Sequence, residues 1–143
     1  MADRHVSPEQ ASNLASRHAL VAETEDAVSS ICTEALYRLG FTVSCVESGI
    51  DAVVSARRHH PSVIFIAVQL RDVSGWEAIK WLRSNPNLGL TPIVVLSTDA
   101  DEAAEPDGAY PIAHLRKPVS PAAVKRAMAQ IAAFQEGETD ARR

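Results

Sequence analysis

Two short runs, Val63–Ala67 (VIFIA) and Pro92–Leu96 (PIVVL), are apolar throughout. A half-exposed strand alternates apolar and polar residues, whereas an unbroken apolar strand is covered on both faces. Two such strands require a sheet with helices packed on each side, and the flanking sequence supplies them. Ala19–Ala22 reads as another short apolar strand. From Glu25 to Leu39, apolar residues fall at Val28, Ile31, Cys32, Ala35, Leu36 and Leu39, a spacing that predicts a helix. Gly40 ends it in the usual C-terminal way. Phe41–Cys45 alternates like an edge strand, and Ile50–His60 reads as a helix closed by Pro61. Gly75–Arg83 predicts a third helix, with Asn85-Pro86 as its breaker. Ile112–Leu115 makes a poorer fifth strand. Ser120-Pro121 starts a last helix that carries Val124, Ala127, Met128 and Ile131 on one face.

Strand and helix thus alternate about five times. That order implies right-handed crossovers and a flavodoxin-like (βα)5 three-layer α/β sandwich around a parallel five-stranded sheet. The domain is expected over residues 18–135. Residues 1–17 form an extension, in which Ser7-Pro8-Glu9-Gln10 is a capping-box pattern for a short helix. Residues 136–143 read as a polar, frayed tail.

The 143 residues suit one domain with a proper core. A net charge of −4 argues against a nucleic-acid partner. No apolar run approaches the roughly 20 residues that span a bilayer, and the first ten residues lack the apolar stretch of a secretion signal. The expected location is the cytoplasm. Cys32 and Cys45 do not have metal-ligand spacing, and both fit apolar patterns, so they read as small core residues. Arg57, Arg58, His59 and His60 make a basic helix end. Trp76 and Trp81 lie five apart on one helix, so one of them is expected at the surface.

In parallel α/β sheets, sites form at the carboxyl ends of the strands. The residues there are Glu23 and Thr24, Ala67, Ser97 and Thr98, and Lys117.

With these positions fixed, the stretches ALVAETEDAV, GFTVSCVESGIDAV, PSVIFIAVQLRDVSGWEAI, TPIVVLSTDAD and LRKPVS stand in a telling order. Over roughly residues 18–133 the chain resembles the receiver domain of two-component response regulators. The resemblance implies an acidic pair that binds Mg²⁺ after the first strand and a phosphoacceptor aspartate ending the third. It further implies a hydroxyl ending the fourth strand and a lysine before a cis proline after the fifth. By position, the acidic pair falls on Glu23 and Thr24 and the phosphoacceptor on Ala67. The hydroxyl falls on Ser97, and the lysine and proline on Lys117 and Pro118. The aromatic switch position falls on His114. Residues 98–111, rich in acids and carrying Pro106 and Pro111, are expected to leave the fourth helix short or irregular.

An acyl phosphate needs a carboxylate nucleophile, and its metal needs hard oxygen ligands. Alanine supplies neither, and Thr24 removes one anionic ligand. The expectation is therefore a degenerate pseudo-receiver with no cofactor and Mg²⁺ binding lost or very weak. Lys117 is expected to pair with Glu23, while Glu25 and Asp26 read as acids that favour the start of the first helix. In this register Asp72 lies beyond the strand and points away from the pocket. The expected role is a stand-alone, phosphorylation-independent signalling protein, monomeric or weakly dimeric, that is not an enzyme. Its partner would be a histidine kinase, regulator or output protein. The alternatives are a receiver phosphorylated at a non-standard acceptor, and a small-molecule sensor that uses the vacated pocket.

Overall fold

The structure is a computed structural model, and it describes residues 17–98, 106, 108–111 and 113–141. The strands are β1 (His18–Ala22), β2 (Thr42–Val46), β3 (Val63–Ala67), β4 (Ile93–Ser97) and β5 (Ala113–Arg116). The helices among the described residues are α1 (Asp26–Arg38), α2 (Gly49–His59), α3 (Gly75–Ser84) and α4 (Pro121–Ala141). All strand pairs are parallel, in the order β2-β1-β3-β4-β5. The five strands and the flavodoxin-like topology agree with the sequence expectation. The expected helix in residues 1–17 and the expected irregularity between 98 and 111 fall largely outside the described residues.

Two cores explain the unbroken apolar strands. Alternate side chains of each strand enter opposite layers. Val63, Phe65 and Ala67 of β3, with Ala19, Val21, Val94 and Leu96, meet Cys32 and Leu36 of α1 and Val124, Ala127 and Ile131 of α4. Ile64 and Ile66, with Leu20, Ile93 and Val95, meet Ala52 and Ala56 of α2 and Trp76, Ile79 and Leu82 of α3. A fully buried Phe, Ile or Leu here stabilises the fold by about 1.5–3 kcal/mol. A polar residue anywhere in VIFIA would face one core or the other.

The starts of α2 and α3 are capped locally. Ser48 Oγ accepts from the Asp51 amide at 3.0 Å, and Ser74 Oγ accepts from the Glu77 amide at 3.2 Å. At the end of α3, the Arg83 guanidinium donates to four carbonyls: Gly89 (3.1 Å), Thr91 (2.7 Å), Ala109 (3.0 Å) and Tyr110 (2.9 Å). It ties α3 to the segments that lead into β4 and β5. The planar five-donor fork suits a position where four carbonyls converge.

Two expectations need correction. Cys32 is buried as predicted, but Cys45 is exposed on edge strand β2, where its sulfur lies 3.1 Å from Thr33 Oγ1. The alternating pattern identified a strand there and did not say which side was covered. The polar tail expected from residue 136 continues α4 as far as Ala141. A single glycine, Gly137, lowers helix propensity by only about 1 kcal/mol and does not stop a helix already formed.

Candidate functional site

The carboxyl ends of β1, β3, β4 and β5 converge on Glu23, Ala67, Ser97 and Lys117. Glu23 follows β1 directly, and its amide donates to the Val46 carbonyl at 3.0 Å. Its side chain is buried, yet it is well bound. Oε2 accepts from the amides of Thr24 (2.9 Å) and Glu25 (3.0 Å) and from Lys117 Nζ (3.1 Å), and Oε1 lies 3.0 Å from the same ammonium. The backbone of Lys117 is fixed in turn, its amide donating to the Ser97 carbonyl at 2.8 Å. The Lys117–Pro118 bond is cis.

The expected Glu23–Lys117 pair is therefore present, and a second carboxylate joins it. Glu25 Oε2 lies 2.5 Å from Lys117 Nζ. Glu25 occupies the N-cap position of α1, at the helix start as expected, and makes no side-chain cap there. Asp26 does stand in the first turn. An ammonium within reach is a stronger attraction for a carboxylate than a helix dipole. Burial opposes the Lys117 charge, and the hydrogen bonds it donates to Glu25 and Glu23, with the charges of the two carboxylates, outweigh that, holding its pKa above the ordinary lysine value.

Ala67 ends β3 fully buried, its methyl part of the core shared with α1 and α4. Ser97 is buried at the end of β4, and Thr24 is half-buried beside Glu23. His114 lies on β5 with its ring 6.0 Å from that of Trp76. Cys32, below the cluster, is no hidden nucleophile. Burial first, and then the charges of Glu23 and Cys45, push its thiol up to about 12, so it stays protonated at neutral pH.

Asp72, placed by the sequence beyond the strand and away from the pocket, has a structural task there. Its Oδ1 accepts from the amides of Gly49 and Val73, each at 2.7 Å, and its Oδ2 accepts from Ile50 at 3.0 Å. It anchors the start of α2 from 23 residues away, a contact that no local pattern could announce. The Gly49 amide, with those of Ile50 and Val73, holds its pKa below the usual carboxylate value. A depressed pKa contributes stability that is full above the unfolded value of 3.8 and is lost as pH falls through the lower folded value. Asp72→Asn should therefore flatten the acid limb of a stability–pH curve below about pH 4. An unchanged limb in urea titrations would contradict this.

The fold, the strand-end site and the cis Lys–Pro step define a class: signalling receivers built on a five-stranded parallel sheet. A family profile described as response regulator receiver domain matches residues 19–129, and the chain belongs to that family. The polar-differentiation response regulator DivK of Brucella ovis is 34% identical over 84 residues, covering 57% of this chain and 68% of the relative. The DivK of Brucella anthropi is 32% identical over the same shares. Among solved structures, the chemotaxis response regulator CheY4 of Vibrio cholerae superposes with a TM-score of 0.72 at 21% identity. That match covers 80% of this chain and 97% of the other, and it speaks for the fold alone. The receiver domain of a sensor histidine kinase from Pseudomonas aeruginosa matches at 28% identity and a TM-score of 0.69, over 76% and 91% of the two chains. That domain has a magnesium ion coordinated in its active-site cleft.

The residues present here do not fit such an ion. A divalent cation of this kind needs several accessible hard oxygens. Glu23 faces an ammonium and two amides, Glu25 faces the same ammonium, and Ala67 has no side-chain oxygen. Among the described residues no group of three or more His, Cys, Asp and Glu side chains could hold a metal. Nor is any helix among them long and apolar enough to cross a membrane.

Proposed function

We propose that this receiver domain signals without being phosphorylated, as a protein-binding module whose conformation is set by its own ion pairs. The observation that carries the reading is the Lys117 ammonium held between Glu23 and Glu25, at the carboxyl end of a sheet whose central strand ends on Ala67. In a phosphorylated receiver, that lysine would meet a phosphoryl group and the carboxylate at position 23 would meet a cation. Here the opposite charges satisfy each other. The cluster is neutralised from within, and its strand ends stay in one arrangement.

On this reading the chain is not an enzyme: it has a carboxylate pair without a free metal face and a thiol held protonated. Its partner is another signalling protein. Its relatives are named for polar differentiation, and a role beside a kinase or regulator of that kind is the natural place for a module that keeps the fold and lacks the acceptor.

Amide spectra recorded with Mg²⁺ and beryllofluoride, a mimic of a bound phosphoryl group, test the reading. The spectra are expected to superpose on those of the untreated protein. Saturable shifts centred on Glu23, Ala67, Ser97 and Lys117 would overturn it.

A further inference from the structure

The outer side of α2 is not what a solvated helix face requires. At about 3.6 residues per turn, Ile50, Val54, Arg57 and Arg58 all lie opposite the buried Gly49, Ala52 and Ala56. Ile50 is 53% exposed and Val54 48% exposed, an i, i+4 apolar pair turned to solvent. Helix α3 packs beside α2 on the same face of the sheet and runs in the same direction. Its own outer side presents Trp81, 40% exposed, while Trp76 is buried in the core. Lys80 is exposed next to Trp81.

The charges on this surface are arranged in sequence. Asp51 and Glu77 stand in the first turns of the two helices, nearest the carboxyl ends of the strands. Arg57 and Arg58 lie farther along α2, beyond Ile50 and Val54, and Lys80 stands beside Trp81 in the second half of α3. None of these three cations pairs with a carboxylate among the described residues, although the protein as a whole carries a net charge of −4. Val54, Arg57 and Arg58 also line an open depression. Exposed tryptophan and arginine around aliphatic side chains is the composition of binding hot spots. The unanswered cations say what the partner must bring.

We propose that the outer face of α2 and α3, centred on Ile50, Val54 and Trp81, docks an acidic amphipathic helix of a partner protein. The partner's apolar residues at i, i+3 and i+4 would cover Ile50, Val54 and Trp81. Its carboxylates would lie towards Arg57, Arg58 and Lys80, because Asp51 and Glu77 repel them from the other end. The inference rests on the reading of the protein as a phosphorylation-independent binding module, and it names the surface that module uses.

The test uses two synthetic helical peptides with the same apolar face, one flanked by Glu and one by Lys, titrated into the full chain. The Glu peptide is expected to shift amide resonances along 49–59 and 75–84 together with the Trp81 indole. The Lys peptide should bind about tenfold more weakly. Arg57→Glu combined with Arg58→Glu should reverse that order, and Trp81→Ala should abolish binding by either peptide. All three positions are exposed, and an unchanged urea midpoint shows that the variants fold. Equal binding of both peptides, shifts centred elsewhere, or no binding at millimolar concentration would overturn the proposal. A phosphoryl group taken up by the protein would instead remove the reading of its function and leave the peptide preference standing.

Discussion

Lys117→Met is expected to destabilise the domain by about 3–5 kcal/mol, the usual cost of leaving one member of a buried ion pair without its partner. The Glu23 side chain is fully buried and that of Lys117 is 13% exposed, so solvent screens the pair little. Methionine keeps much of the lysine's length and apolar stem, which isolates the loss of charge from the loss of packing. The two amides that bind Glu23 Oε2 remain, and they alone do not neutralise it. Adding Glu23→Gln should recover a large part of the loss, since the pair's energy is shared and the single effects do not add. The pH dependence gives a second signature. The Lys117 pKa is raised, so its contribution is full below the unfolded value of 10.5 and is lost as pH rises through the higher folded value. The alkaline limb should therefore be shallower in Lys117→Met than in the wild type, the remainder coming from groups such as Cys32. A loss under 1 kcal/mol in urea unfolding would show that the cluster is not what holds these strand ends.

Gly75→Ala should cost about 3 kcal/mol, at the upper end of what overpacking does. A methyl group at Gly75 would lie 2.1 Å from the Ala67 carbonyl oxygen and 2.9 Å from its carbon. Neither side can yield readily. The Gly75 amide donates to the Val68 carbonyl at 2.7 Å, and β3 is the central strand, paired on both edges. Close approach, not backbone conformation, requires the glycine. Helix α3 begins where it does because its first residue touches the end of β3 without a side chain between them. Chemical denaturation measures the effect, and the most affected amides should lie around Ala67 and Val68. A neutral substitution would mean that the helix start can slide along the strand end.

What the sequence disclosed follows from the range over which its signals act. The runs VIFIA and PIVVL identified strands covered on both sides, and the helical spacing around Leu36 identified α1, because periodicity is local. The same locality limits it. The alternation through Cys45 established a strand and could not say which face was open. Glu25 is next to a helix start in sequence, so its local reading was a helix acid, whereas its partner Lys117 is 92 residues away. Asp72 and the four carbonyls held by Arg83 are likewise brought together only by the sheet. The Lys117–Glu23 pair, 94 residues apart, was accessible because the parallel sheet places both at the carboxyl ends of its strands. Topology, not residue chemistry, supplied that contact.

On the proposed reading, this domain keeps the receiver fold while its strand-end cluster does not accept a phosphoryl group. Intact-mass measurement after incubation with acetyl phosphate and Mg²⁺ tests it most directly, with a phosphorylatable receiver treated in parallel. An unchanged mass, while the parallel protein gains its phosphoryl group, is the predicted result. A mass increase of one phosphoryl group on this chain would contradict the account.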